Sequence, residues 1–433
     1  MSSGLTMQVQ PKQTLSMSTR DGIRLDADVY RPDGEGEFPV LLMRQPYGRA
    51  IASTVVYAHP IWYAAQGYIV VIQDVRGRGT SEGEFKLFEH EIEDGYDSVE
   101  WAARLPGSSG VVGMYGFSYQ GMTQLYAAIA KPPALKAICP AMIGYDLYSD
   151  GAYENGAFCL QANLGWAIQL AAETARLQGN EEAFRMLAIA AKNLPLGDVV
   201  PPQSSILHNL APNSFYHDWL DHHEPDAYWQ KLSPSSYLHD VDLPMLHIGG
   251  WFDTFMRGTI NLYKTMAARS EFPQHLIVGP WAHLPWSRKV GALDFGTEAN
   301  SPCDRLQIRW FDHFLKNKNV GLRAQPPIQL FMMGINEWRY FETWNNISPL
   351  PAALVSTGLA AMDAQDGKLA IQEPEGSEQN KQSASKIQNS KLKTQNSPTS
   401  TPPTTPPRPN PSKPGRPPPP PGGGPAPRGG GAG

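Results

Sequence analysis

Val111-Val112-Gly113-Met114-Tyr115-Gly116-Phe117-Ser118-Tyr119-Gln120-Gly121 is the stretch on which the reading of this chain turns. A short apolar run leads into a glycine-flanked serine. Apolar residues at helical spacing (Met122, Leu125, Tyr126, Ile129) follow. Such a pattern describes a strand that turns sharply into a helix. A serine at that turn is lifted clear of the sheet, and the glycines leave room for the tight backbone. The helix N-terminus beside it favours developing negative charge. Ser118 therefore reads as a nucleophile. The match to G-x-S-x-G is imperfect, because Gln120 stands where the second glycine belongs and Gly121 comes one residue later. Glycine-rich turns containing serine also serve purely structural ends, so the reading needs partners from elsewhere in the chain.

Outward from this stretch the chain alternates strands and helices. Residues 38–43 (FPVLLM) read as a buried strand ending in the loop Arg44-Gln45-Pro46-Tyr47-Gly48. A helix carrying Trp62, Tyr63 and Ala65 precedes the strand 68–72 (YIVVI). Strand, helix and strand in sequence predict parallel pairing with right-handed crossovers. Upstream, residues 14–31 alternate around Arg20-Asp21-Gly22, a hairpin signal. Asp74-Val75-Arg76-Gly77-Arg78-Gly79-Thr80-Ser81-Glu82-Gly83 lacks both the G-x-G-x-x-G spacing and a phosphate-loop lysine, so it reads as a turn-rich crossover held by Asp–Arg pairing. Residues 91–105 form an acidic amphipathic helix, and 135–140 (LKAICP) the next strand.

From about 145 to 238 the rhythm changes to helices (160–177 and 181–194) and loops rich in Trp, His and Asp, which reads as an insertion. Strand–helix alternation resumes at 243–248 (LPMLHI), leading to Gly249-Gly250-Trp251-Phe252-Asp253. The run 275–278 (HLIV) leads in turn to Gly279-Pro280-Trp281-Ala282-His283. An amphipathic helix (305–315) and strands at 328–333 and 339–344 follow.

The length of 433 residues predicts two or three domains, and an apolar content of 41% is enough for a sizeable core. The net charge is −5, yet the chain from Gln379 onward holds eight basic and no acidic residues, so the body is more acidic than the total. An acidic body argues against nucleic acid as a partner. Cys139, Cys159 and Cys303 give neither a zinc spacing nor a disulfide framework, which points to a reducing compartment. No apolar run approaches the ~20 residues that span a bilayer. The expectation is a cytoplasmic protein without membrane partners, cofactor or metal.

Acyl transfer needs a nucleophile, a base, a group that orients the base, and donors for the oxyanion. In a parallel sheet these come from loops at the carboxyl ends of strands. Ser118, Asp253 and His283 each follow a strand, and they occur in the chain order Ser…Asp…His. His283 would take the serine proton and return it to the leaving group, while Asp253 would hold the imidazole. Asp253 alone could equally cap the following helix.

Pro46-Tyr47, Gly116-Phe117-Ser118-Tyr119-Gln120-Gly121, Gly249-Gly250-Trp251-Phe252-Asp253 and Gly279-Pro280-Trp281-Ala282-His283 together resemble the cocaine esterase / X-Pro dipeptidyl-peptidase (S15-like, CocE/NonD) family of serine hydrolases. The resemblance covers residues ~14 to 345, and the family form G-x-S-Y-x-G accounts for Gln120. It implies an α/β-hydrolase fold and the triad Ser118, Asp253 and His283. It also implies an oxyanion hole built from the Tyr47 hydroxyl and the Tyr119 backbone N–H. The expected organisation is a core in two parts (14–145 and 241–320) with a helical cap inserted at 146–240. A shortened start of a C-terminal β jelly-roll (326–366) and a disordered Pro/Gly-rich tail (367–433) complete it. Cap aromatics Trp166, Phe215, Tyr216, Trp219, Tyr228 and Trp229 are pocket candidates, though packing suits most of them. His217, Asp218, Asp221, His222, His223 and Glu224 lack ligand geometry, since adjacent histidines on a helix point about 100° apart.

Family members usually continue through a whole jelly-roll. A β domain cut short here would leave an apolar face and strand edges uncovered, favouring homo-oligomers or a partner chain that supplies the remainder. The expected substrate is a small molecule or short peptide carrying an acyl bond, as in carboxylesterases, acylases or X-Pro dipeptidyl peptidases. A peptidase of the last kind needs a carboxylate for the substrate amine, and Asp146, Asp150 and Glu154 are its candidates. Two other readings stand beside the enzyme: an inactive truncated remnant, and an interaction protein using the Pro-rich tail.

Overall fold

Strands such as 38–43 are apolar at every position because both faces of the sheet are covered. Val40 and Leu42 belong to one buried cluster, and Leu41 and Met43 to another on the opposite side. Period-two alternation thus sorts a continuous apolar run into two cores. The first cluster takes Val99 and Ala102, Met122 and Leu125, and Leu262 and Met266 from one layer of helices; the second takes Tyr63 and Ala64, and Trp310 and Phe311, from the other.

The computed structural model describes residues 7–50, 54–197, 202–344, 352–355 and 368–371. Its main elements are β1 (Gln13–Ser18), β2 (Arg24–Tyr30), β3 (Phe38–Gln45), α1 (Pro60–Ala64), β4 (Ile69–Asp74), α2 (Glu91–Ala103), β5 (Ser108–Phe117), α3 (Tyr119–Ile129) and β6 (Leu135–Ala141). The inserted helices are α4 (Leu160–Leu177), α5 (Glu181–Lys192), α6 (Ser205–Leu210), α7 (Phe215–Asp221) and α8 (Ala227–Leu232). Then come β7 (Met245–Phe252), α9 (Met256–Arg269), β8 (Gln274–Ala282), α10 (Cys303–Phe314), β9 (Ile328–Met332) and β10 (Glu337–Phe341).

These ten strands form one sheet in the order β1-β2-β4-β3-β5-β6-β7-β8-β9-β10. From β4 to β9 every neighbouring pair is parallel, and β1, β2 and β10 add antiparallel pairings at the two edges. Thr19 to Ile23 close the β1–β2 hairpin, with Thr19 N–H donating to the Ile23 carbonyl at 2.9 Å. The strands near 328–341, expected to open a separate jelly-roll, instead extend the central sheet, because Leu276, Ile277 and Val278 pair with Ile328, Gln329 and Leu330. Apolar alternation alone does not specify which edge a strand joins.

Separate from the unit that holds this sheet, Ala352–Val355 pair antiparallel with Lys368–Ile371. Of the tail expected to be disordered from residue 367, Lys368–Ile371 form a strand, and the residues from 372 lie outside the described ones. Among the described residues no helix is long and apolar enough to cross a membrane.

Candidate active site

Ser118 sits between β5 and α3 with φ 59° and ψ −127°. A positive φ is uncommon for a residue with a side chain and stores strain. Its N–H is held by the Ala141 carbonyl at 2.9 Å, and its own carbonyl accepts from Gly121 and Met122 at 2.9 and 3.0 Å. The displaced second glycine of the motif has a steric reason. A Cβ on Gly121 would stand 2.4 Å from Ile143 Cγ2 and 2.8 Å from the Ala141 carbonyl oxygen, so position 121 is where α3 meets the chain leaving β6. Gln120 faces the turn instead, and its side-chain oxygen accepts from the Phe117 N–H at 3.3 Å.

Asp253 follows β7 and His283 follows β8. A Cβ on Gly250 would lie 2.3 Å from the Trp281 carbonyl oxygen, so the glycine lets these two strand ends close up. The Asp253 side chain is fully buried, and its Oδ1 lies 2.7 Å from His283 Nδ1. Helix α9 has no side-chain cap, so the carboxylate serves the imidazole rather than the helix. Phe117 and Phe255 flank the imidazole with ring centroids at 5.4 and 5.3 Å. Ser118 and His283 line one cavity of about 580 Å³. Among the described residues no hydrogen bond joins their side chains; in enzymes without substrate this link is often long and tightens on binding.

Tyr47, after β3, lines the same cavity. Its hydroxyl oxygen accepts the Trp166 indole N–H at 3.0 Å, and Ser118 lines the cavity beside it. Burial pushes this phenol up to about 12, so it stays protonated and able to donate at neutral pH. The Tyr119 phenol turns away from the site and donates to Glu91 Oε1 at 2.8 Å. Glu91 in turn binds the fully buried Arg44 at 2.5 Å. Because Tyr119 begins α3, its N–H has no partner within the helix and remains available beside Ser118.

The Asp74–Arg78 loop is held by Asp–Arg pairs, but with distant partners. Arg49 binds Asp74 at 2.5 Å, while Arg76 binds Asp21 and Asp94 at 2.7 and 2.6 Å. Arg78 was not legible as a neighbour of the site. It is buried, lies over the Phe85 ring at 3.7 Å and donates to the Leu170 carbonyl at 3.2 Å. Desolvation pushes it down to about 10, and the nearby Tyr119, Glu173 and Tyr47 act against that shift.

Phe88, Met142, Ile143, Leu147 and Phe255 make much of the cavity wall apolar. Of the aromatics expected from the insertion, Trp166 and Trp219 line it; Phe215 packs on Trp166 at 5.1 Å, and Tyr216, Tyr228 and Trp229 are placed elsewhere. Among the described residues the lining contains no carboxylate. Asp146 accepts from Ser149 and Ser235, and Asp150 and Glu154 both bind Arg257 at 3.2 Å. In the His/Asp-rich loop, His222 Nδ1 lies 2.6 Å from Asp226, and the His217 ring bonds to the Ala211 carbonyl.

A strained serine turn, with an acid–imidazole pair on two further strand ends of a mostly parallel sheet, defines the α/β-hydrolase class. Within that class the chain belongs to the S15 family, X-Pro dipeptidyl-peptidase, which it matches over residues 21–285. It is 33% identical over 350 residues to cocaine esterase from Rhodococcus sp. (strain MB1 Bresler), covering 77% of this chain and 59% of that protein. The crystal structure of an aminopeptidase from a marine sediment Thaumarchaeota archaeon superposes with TM-score 0.63 at 23% identity, over 84% of this chain and 63% of that one. A CocE/NonD family hydrolase from Staphylococcus aureus gives 0.59 at 21% identity, over 81% and 58%. The chain thus spans about three-fifths of the length of these relatives.

Proposed function

We propose that this protein is a serine hydrolase that cleaves esters of uncharged, apolar acyl groups through an acyl-enzyme. The observation that carries the reading is the 2.7 Å contact between the buried Asp253 and His283, whose imidazole lines the cavity that also holds the strained Ser118. Ser118 Oγ attacks the acyl carbon while His283 Nε2 takes its proton. The carbonyl oxygen becomes an oxyanion and receives hydrogen bonds from the Tyr47 hydroxyl and the Tyr119 N–H, donors of a kind worth ~3 kcal/mol each. His283 then protonates the leaving alcohol, and the acyl group stays on Ser118. A water that gives its proton to His283 attacks the acyl carbon. Ser118 departs with that proton, and the free acid leaves. Throughout, Asp253 fixes Nδ1–H and stabilises the imidazolium.

Preference for an apolar acyl group rests on the cavity wall. A substrate ammonium entering it would be desolvated with no carboxylate among the described lining residues to meet it, a large cost. The carboxylates that could have served an X-Pro dipeptidyl peptidase are bound to Arg257 and to serines. The name of the Rhodococcus relative, an esterase, agrees with this preference. Side-by-side assay of p-nitrophenyl benzoate and Gly-Pro-p-nitroanilide tests it. The ester is expected to be favoured in kcat/KM by roughly 100-fold or more; a faster anilide would overturn the preference.

A further inference from the structure

The Trp166 indole has a single N–H, which can only donate, and it points at the Tyr47 hydroxyl oxygen from 3.0 Å. With that lone pair occupied, the phenol's own proton is directed away from the indole. Ser118 lines the same cavity as that hydroxyl. The indole itself has little freedom to turn. Its ring lies among Phe88, Phe215 and Trp219, with centroids at 6.2, 5.1 and 6.1 Å. It belongs to the long helix α4, whose Leu170 carbonyl, one turn on, is held by Arg78.

We infer that Trp166 is a positioning residue: by occupying the outer lone pair of Tyr47 it holds the phenolic proton toward the oxygen of the acyl group being attacked. The inserted helices would thus complete the oxyanion hole as well as roof the cavity. This rests on the reading of Tyr47 as an oxyanion donor. A phenol aimed beforehand needs no reorientation when charge develops, which is where such donors gain their effect.

Steady-state kinetics of W166F, Y47F and the double variant on one ester separate the possibilities. Y47F is expected to lower kcat by about 100-fold. W166F keeps an aromatic ring but loses the N–H, and is expected to lower kcat by about five- to tenfold with KM within about twofold. In the Y47F background the W166F change should have no further effect on kcat, because the group through which it acts is gone. A W166F loss that persists in full in that background would show that Trp166 acts through packing, and unchanged kcat in W166F would exclude the role; either overturns the inference. If Y47F leaves kcat unaltered, the oxyanion reading itself has failed. Should W166F fold poorly, β-(3-benzothienyl)alanine at position 166, which replaces the N–H by sulfur in a ring of the same shape, must reproduce the same pattern.

Discussion

Buried titratable residues away from Ser118, Asp253 and His283 report on stability. His247 on β7 is fully buried, its Nε2 lies 3.0 Å from Gln274 Oε1, and burial pushes its imidazole down to about 4. Folded protein therefore refuses a proton that the unfolded chain accepts below about pH 6.5. The stabilisation is fully present above that pH and is lost as pH falls toward 4, by up to ~3 kcal/mol. His275 is pushed down to about 4 as well, by burial and by Arg309, and adds to the same slope. The melting temperature of the parent protein should fall from pH 6.5 to 4.5 more steeply than that of H247Q, which loses the His247 contribution but keeps that of His275. Parallel curves would contradict the assignment of the slope to His247. Such residues carry no mark in the sequence: His247 lies unremarked inside the run 243–248, whereas His283 was singled out by the loop that holds it.

Elements explain which parts of the site could be read beforehand. Ser118, Asp253 and His283 were legible because each follows an apolar run whose end is marked by glycine, and a parallel sheet gathers such ends at one rim. Tyr47 and the Tyr119 amide needed the family resemblance, since a tyrosine after proline has no distinguishing local pattern. Arg78 was illegible because Arg49 and Arg76 find their carboxylates far along the chain, so local Asp–Arg spacing said nothing about which arginine turns toward the inserted helices. The β9–β10 hairpin was assigned to a new domain because a strand's sequence does not name its neighbour. Position 121 offers the element-scale test. G121A would drive a methyl group to 2.4 Å from Ile143 and 2.8 Å from the Ala141 carbonyl oxygen, forcing α3 off β6. Overpacking of that kind costs about 1–3 kcal/mol. The expected result is a lower melting temperature together with reduced kcat, as the turn carrying Ser118 shifts. Unchanged stability would show that the elbow is looser than the close approach implies.

For the whole molecule, one sheet buried on both faces sets the loops after β3, β5, β7 and β8 around a single apolar cavity, and the inserted helices add Trp166 and Trp219 to its wall. Residues up to 344 supply every group the mechanism invokes, although the chain spans only about three-fifths of its relatives. The central claim is that these loops make Ser118 a nucleophile. Mass spectrometry of the protein after treatment with a fluorophosphonate tests it most directly. The account predicts one adduct, on the peptide containing Ser118, absent in S118A and strongly slowed when His283 is replaced by alanine. An unlabelled parent protein, or an adduct that survives in S118A, would contradict it.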